Sequence, residues 1–367
     1  MKKLPLLNFV DTLFKNVELD KTLIMGCQHL LLSNLIMFEH LFRKGLKTNH
    51  TFLIGKAYST DKTIERKFIK KGVYVHKYIY SSHRFFDKQF SQAINSFLKY
   101  VARETKSLSF KKILIVDDGG ELIKQVNDKK IFINKKIVGI EQTTSGYEKI
   151  KNNKLFFPIL NVARSKAKLS VEPPFIVDAI ITEIQKNLEE LKLKPKNILV
   201  VGAGAMGAVL FNKLNKWLKV DLYDISLKRS FNKNMSLNKI ISKYDVIVGC
   251  TGNTAISKNN FKLLKNRTVL ISASSSDREF DSVYLRKLVK ETHDPHEGIF
   301  VKGIYLLNSG FPINFIGKEI EELYDIQFTR ALMFSALCLA NEKTYKKGLV
   351  TLDEDIQRKI IKQNYKI

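Results

Sequence analysis

The residues whose spacing most directly implies chemistry are Gly202-Ala203-Gly204-Ala205-Met206-Gly207. They follow at once on the apolar run Asn197-Ile198-Leu199-Val200-Val201 and lead into an apolar stretch through Leu214. A strand, a tight GxGxxG turn and a helix form the cradle that holds a dinucleotide pyrophosphate. Gly202 permits the turn, Gly204 lets backbone approach the anion, and Gly207 lets helix and strand pack closely. Ala205 and Met206 open the helix whose N-terminal amides face the anion. The next apolar run, Lys219-Val220-Asp221-Leu222-Tyr223, ends in Asp224. A carboxylate there accepts from ribose hydroxyls and repels a 2′-phosphate, which favours NAD over NADP. A glycine turn without a ligand is the alternative. Thr251-Gly252-Asn253 and Ser272-Ala273-Ser274-Ser275-Ser276 each close a further apolar run. Small polar residues at such strand ends suit a nicotinamide and its ribose, or are plain loops.

Ahead of this turn lie other groups able to move protons. Gly26-Cys27-Gln28-His29, Tyr58-Ser59-Thr60, Asp117-Asp118-Gly119-Gly120-Glu121, Gln142-Thr143-Thr144-Ser145-Gly146 and Pro158-Ile159-Leu160-Asn161-Val162 are followed by Lys168 and Glu172. A lysine near a cofactor cation can act as a base towards an alcohol, and a nearby acid orients it. Each also has a plain reading: His29 as a core histidine, Asp117 and Asp118 as helix caps, Lys168 as one of 51 lysines. In His293-Asp294-Pro295-His296-Glu297 the proline disfavours a regular helical pair and no third ligand stands out, so a solvated loop is expected and no metal site.

The elements that must position these residues are strands alternating with helices. Buried strands are expected at 52–54, 111–116, 137–140, 156–160, 198–201, 219–223, 246–248, 269–272 and 304–307. Phe86, Phe90, Ala93, Ile94, Phe97, Leu98 and Val101 recur at helical spacing. Ile320 to Leu339 reads as another helix. Such alternation implies an α/β protein with parallel sheets covered on both faces. Pro173-Pro174 is expected to stop one element before a helix from Phe175 to Leu191, with a polar break at Lys192 to Lys196, placing one α/β domain before that helix and another after it.

With 367 residues, 44% of them hydrophobic, the chain has length for about two domains and a real core. Its charge of +26 comes from 62 Lys+Arg against 36 Asp+Glu. Only 11 of those cations are Arg and the lysines are spread evenly, so the profile requires no nucleic acid. The longest apolar run, Leu30 to Phe38, is short of the ~20 residues of a membrane span. Asn8 and Asp11 interrupt any leader-like apolar segment, and Cys27, Cys250 and Cys338 form no disulfide framework. A cytoplasmic protein with no membrane partner is expected.

In order and spacing, the motifs from Gly26 to Asn308-Ser309-Gly310 resemble the S-adenosylhomocysteine hydrolase (adenosylhomocysteinase) family over roughly residues 25–340. The DDGG and TTSG turns carry the resemblance most specifically. It implies a Rossmann NAD-binding domain at 176–317. It also implies a discontinuous α/β substrate domain at 1–175, completed by 318–345, and a short tail at 346–367. In that family NAD oxidises a ribose 3′-hydroxyl, which acidifies the C4′ proton and allows the 5′-thiol to leave; water adds back and the stored hydride restores the alcohol. Carried over, Lys168 and Glu172 work at the 3′-hydroxyl, His29 and Asp118 manage protons, and Asn308, Thr143 and Thr144 contact the cofactor.

The departures are pointed. Gln142 stands for a family Glu, Pro173 for an Asn, and Ser275 for a His. Leu31 and Ser33 replace polar adenine contacts, and Gly310-Phe311-Pro312 lacks a further purine-binding His. The chain ends at Ile367 without the family's long C-terminal extension, of which Lys362 and Tyr365 are a faint echo. The expectation is a divergent, shortened relative acting on a nucleoside-type small molecule, with a homodimer preferred. Two other classes stand open: a catalytically lapsed NAD-binding regulator and a dehydrogenase that releases NADH.

Overall fold

A computed structural model describes residues 4–216, 218–226 and 235–367. The chain divides into two units. One comprises Met1–Tyr78, Phe90–Glu172 and Gly317–Ile367; the other comprises Ile79–Gln89 and Pro173–Ile316.

The first unit contains α1 (Pro5–Leu13), β1 (Thr22–Leu30), α2 (Leu32–Arg43), β2 (Thr51–Thr60), α3 (Lys62–Lys70) and β3 (Tyr74–His76). After α4 (Phe86–Glu104) come β4 (Lys112–Asp117), α5 (Glu121–Asp128), β5 (Lys136–Glu141), α6 (Thr144–Ile150), β6 (Pro158–Asn161) and the first turns of α7 (Lys166–Glu190), which belongs to the second unit from Pro173 on. The seven strands of its sheet run in the order β3-β2-β1-β4-β5-β6, followed by a strand near the C-terminus, all parallel. This is a doubly wound sheet whose direction of winding reverses between β1 and β4. Ligands of such sheets bind beyond the strand C-termini at that reversal.

The second unit contains β7 (Ile198–Val201), α8 (Ala205–Leu214), β8 (Val220–Tyr223), α9 (Leu237–Ile240), β9 (Val246–Gly249), β10 (Thr268–Ser272), α10 (Ser282–Arg286), β11 (Ile299–Val301) and β12 (Ile304–Leu306). Its order is β8-β7-β9-β10-β12-β11, parallel except for β11. Along β7, Ile198 and Val200 enter one core with Leu210 of α8, while Leu199 and Val201 enter another with Ile240 and Phe261. Both faces are covered, which explains the unbroken apolar runs.

The fold class is the one expected. Two details differ from the sequence reading. α7 runs unbroken from Lys166 to Glu190 with Pro173 and Pro174 inside it. Two successive backbone N–H groups are missing there, so two intrahelical bonds cannot form, and the unit boundary falls at that point. Residues 346–367 are no tail: β13 (Gly348–Thr351) pairs with β6, and α12 (Glu354–Asn364) buries Ile360 in the first unit's core. Before them, α11 (Leu323–Glu342) is buried from Ile326 through Ala340, giving that core a central helix. No described helix is long and apolar enough to cross a membrane.

Candidate functional site

In the first unit the chemistry-bearing side chains collect at the C-terminal ends of β1, β2, β4 and β5. His29 stands near the end of β1, and Asp118 directly follows β4. Gly120, at φ +71°, turns the chain into α5; a Cβ there would lie 2.7 Å from the Gly146 carbonyl oxygen. β2 carries an irregularity: Gln28 pairs with Gly55, yet Leu30 pairs with Thr60. The extra residues bulge out of the ladder and supply Lys56 and Ser59 to the same place.

Asp118 is the hub, 2% exposed. Its Oδ2 lies 3.1 Å from His29 Nε2 and accepts from Gln142 Nε2 at 3.0 Å. Its Oδ1 is bound by the Lys56 ammonium, itself 4% exposed. Burial alone would raise the Asp118 carboxyl, but His29 and Lys56 hold it well below the usual carboxylate range. Asp118 is therefore a fixed anion that orients its neighbours. An ionised carboxylate only accepts, so the His29 proton sits on Nε2 and Nδ1 accepts from the Ser59 hydroxyl. Burial pushes the His29 imidazole below its usual range, against the pull of Asp118. Burial would likewise lower the Lys56 ammonium, yet Asp118 keeps it well above its ordinary value.

A second layer comes from α11. Arg330 donates from Nε to Ser33 Oγ at 2.9 Å and reaches Gln142 Oε1 from Nη1 at 3.5 Å. Ser33 in turn donates to Glu319 from its hydroxyl and, at 2.6 Å, from its backbone N–H. Thr329, next to Arg330, donates to Glu172 Oε1 at 2.8 Å, and Glu172 Oε2 binds the Lys168 ammonium one turn back along α7. Consecutive residues of one helix thus touch both the Lys168–Glu172 pair and the Gln142 that holds Asp118. The structure brings the four expected catalytic residues to these two linked groups.

Below them, Asp117 and Glu141 are register partners on β4 and β5. Glu141 Oε1 accepts from Gly119 N, Thr143 N and Thr143 Oγ1, which ties the two turns together. Asp117 Oδ2 accepts from Ile123 N, while Asp117 Oδ1 and Glu141 Oε2 are buried without a partner. Burial pushes Asp117 up to about 6 and Glu141 well above its ordinary value, the Asp117 charge adding to the latter. Burial and the neighbouring carboxylate charge both favour the protonated form of Glu141.

In the second unit the glycine turn has the geometry its sequence requires. Gly202 sits at φ +105°, and a Cβ there would lie 2.9 Å from the Cys250 carbonyl group. A Cβ on Gly207 would fall 1.8 Å from the Gly202 oxygen, whereas around Gly204 nothing lies within 4 Å. Two glycines are demanded by the chain's own packing; the third leaves open space at the N-terminus of α8. Asp224 accepts from Ala203 N at 2.7 Å and Ser226 N at 2.8 Å, so it braces the turn. Ala205 and Met206 form the first turn of α8. Thr251 Oγ1 lies within hydrogen-bond reach of Glu279 Oε2 at 2.8 Å and Asn253 O at 2.6 Å, and Gly252 N donates to Glu279 Oε1. Burial raises the Glu279 carboxyl. Asn308, at φ +50°, donates from Nδ2 to Pro312 O and Phe315 O, and its Oδ1 lies 3.2 Å from His296 Nδ1. Its amide is committed to bracing its own turn.

Thr143 and Thr144 belong to the first unit, and the other cofactor candidates to the second. Thr143 caps α6 by accepting from Gly146 N, and Thr144 is exposed. His293 Nδ1 contacts Tyr80 O, away from the His296 partner, and no group of three His, Cys, Asp or Glu able to hold a metal occurs among the described residues. Sequence reasoning missed Lys56, Arg330, Glu319 and Glu279. Of these, only Lys56 has neighbours, Tyr58-Ser59-Thr60, in a motif already singled out.

No protein-family model matches the chain. An uncharacterized protein of Mycobacterium tuberculosis (strain ATCC 25618 / H37Rv) is 34% identical over 331 residues, covering 88% of this chain and 65% of that protein. The chain thus spans about two thirds, 65%, of the length of that relative. S-inosyl-L-homocysteine hydrolase of Methanopyrus kandleri is 21% identical over 284 residues, 71% of this chain and 67% of the enzyme. Among solved structures, a dipicolinate synthase chain from Bacillus halodurans aligns with a TM-score of 0.39 at 13% identity, covering 89% of this chain and 99% of that one. NAD⁺-bound 3-phosphoglycerate dehydrogenase of Entamoeba histolytica aligns at 0.42 and 10% identity, covering 89% and 100%.

Proposed function

We propose that the chain is an NAD-dependent enzyme of the adenosylhomocysteinase type. In this reading it oxidises a ribose 3′-hydroxyl to drive reversible cleavage of S-adenosylhomocysteine or a related nucleoside thioether. The observation that carries the reading is two linked groups in the first unit: His29–Asp118 at the sheet's winding reversal, and Lys168–Glu172, joined to it through Thr329 and Arg330 of α11. The open space at Gly204, between two glycines the packing demands, fits a dinucleotide pyrophosphate. Gly202 to Gly207 would hold the pyrophosphate, Asp224 the adenosine ribose, and the Thr251–Asn253 turn the nicotinamide side. Bound NAD would supply the acceptor for the carbinol hydride.

The chain's own residues then handle protons. Lys168, as the neutral amine, takes the proton of the 3′-hydroxyl and becomes the ammonium that Glu172 holds, with Thr329 fixing Glu172. His29, kept neutral by burial and oriented by Asp118, serves proton movement at the 4′ and 5′ positions. Asp118 stays ionised throughout. The similarity to an S-inosyl-L-homocysteine hydrolase makes a 6-oxopurine nucleoside a second substrate candidate. Lys168→Ala should lower turnover by about 10²–10⁴-fold while NAD still binds, measured by single-turnover kinetics beside a binding titration. Full activity in that variant would sink the assignment.

A further inference from the structure

We propose that Lys56 is a positioning residue: by binding Asp118 Oδ1 it makes His29 face a neutralised carboxylate, and so keeps the imidazole a neutral base with its proton on Nε2. The argument starts from a bulge. Were β2 regular past Gly55, the ladder with β1 would continue in step; instead Leu30 pairs with Thr60, and Lys56 and Ser59 are both turned towards the end of β1. Lys56 reaches one oxygen of Asp118 and His29 the other. Ser59 closes the opposite side of the ring, donating to Nδ1. The result is a continuous row, Lys56–Asp118–His29–Ser59, in which every polar contact is buried.

A histidine paired with a lone buried carboxylate is drawn towards the imidazolium form. Here the carboxylate already has a full counter-charge on its other oxygen. The charged and titratable groups around His29 are Lys56 and Tyr58 from β2, Asp118 after β4, Arg330 from α11, and Cys27 on its own strand. The two cations, Lys56 and Arg330, both disfavour imidazolium, and Asp118 alone favours it. Lys56 is the cation that contacts the hub directly. When His29 does accept a proton, it enters on Nδ1, with Ser59 Oγ then accepting from the ring and Nε2–H still held by Asp118. Nothing else changes charge.

Only the kinetic arm of this proposal rests on the functional reading above. In the full chain labelled with ¹⁵N, long-range imidazole spectra, with His29 assigned through His29→Gln, should show the Nε2–H tautomer at neutral pH. Lys56→Met should raise the His29 titration midpoint by about one pH unit, and Lys56→Arg should leave it near the wild-type value. Should Lys56→Met fail to fold, Asp118→Asn supplies an independent arm. It leaves the lysine charge uncompensated beside the ring, and the midpoint should fall. An Nδ1–H tautomer in the wild type overturns the proposal, as does an unmoved midpoint in Lys56→Met or one that stays or rises in Asp118→Asn. A purely structural lysine would lower stability without moving either readout. In steady-state assays the acid limb of kcat/KM should move with the spectroscopic midpoint. A moved midpoint without a moved limb upholds Lys56 and contradicts the catalytic role of His29.

Discussion

The two units place their candidate chemistry at the same kind of location, beyond the C-terminal ends of parallel strands, but build it from opposite materials. In the first, charged side chains are buried and bonded to one another: Asp118 alone joins Lys56, His29 and Gln142. In the second, the site is backbone and space, with Gly204 open and Asp224 half-buried against two backbone N–H groups. The difference teaches that substitutions in the first unit should couple function to stability, whereas in the second the two should separate.

The hardest test of that contrast is Asp118→Ala against Asp224→Ala. Removing Asp118 strands the Lys56 cation, whose only carboxylate partner among the described residues it is, and should destabilise folding by about 3–5 kcal/mol in urea titrations. Asp224→Ala should cost at most about 2 kcal/mol while weakening NAD binding. Equal losses of stability would erase the distinction.

A sharper version lies inside the glycine turn. Gly207→Ala must displace the Gly202 carbonyl and should cost about 1–3 kcal/mol, lowering the melting temperature. Gly204→Ala meets nothing within 4 Å and should melt like the wild type, yet bind NAD at least ~10-fold more weakly by calorimetry, about 1.4 kcal/mol. Unchanged affinity would mean that the cradle does not receive a pyrophosphate.

The smallest effect concerns the Asp117–Glu141 pair. Both carboxyls bind protons more tightly folded than unfolded, so their contribution to stability is present below about pH 4 and is lost as pH rises through about 6 and beyond. Glu141→Gln keeps the acceptor used by Thr143 and Gly119 and offers an amide donor to Asp117. Relative to the wild type, its stability should gain between about pH 4 and 7, read as the difference in melting temperature across that range. A constant difference would show that the two carboxyls hold no extra proton.

Much of the fold was legible because buried parallel strands read as short β-branched runs, as at Ile113–Val116 and Ile198–Val201. β1 escaped that signal: its second half, Gly26-Cys27-Gln28-His29, is polar because it delivers the site. β13 escaped because it is a half-buried edge strand. The prolines of α7 misled, since a helix fixed at both ends by packing tolerates two missing N–H groups that a local reading treats as a stop. In the candidate site, residues set in motifs were visible: His29, Asp118 and the glycines. Lys56 was not, since a lysine in a lysine-rich chain carries no mark of burial. Arg330 and Glu319 reach Ser33 across some 300 residues of sequence, a pairing only the tertiary fold defines.

The central claim is most directly tested by the absorbance of purified, NAD-loaded protein in the reduced-nicotinamide band. S-adenosylhomocysteine, S-inosylhomocysteine and the matching nucleosides are added in turn. The account predicts a rise of no more than one equivalent per site with one of them, accompanied by thiol release from the thioether and no free NADH. Absence of any rise with every compound, or steady accumulation of free NADH, would contradict it.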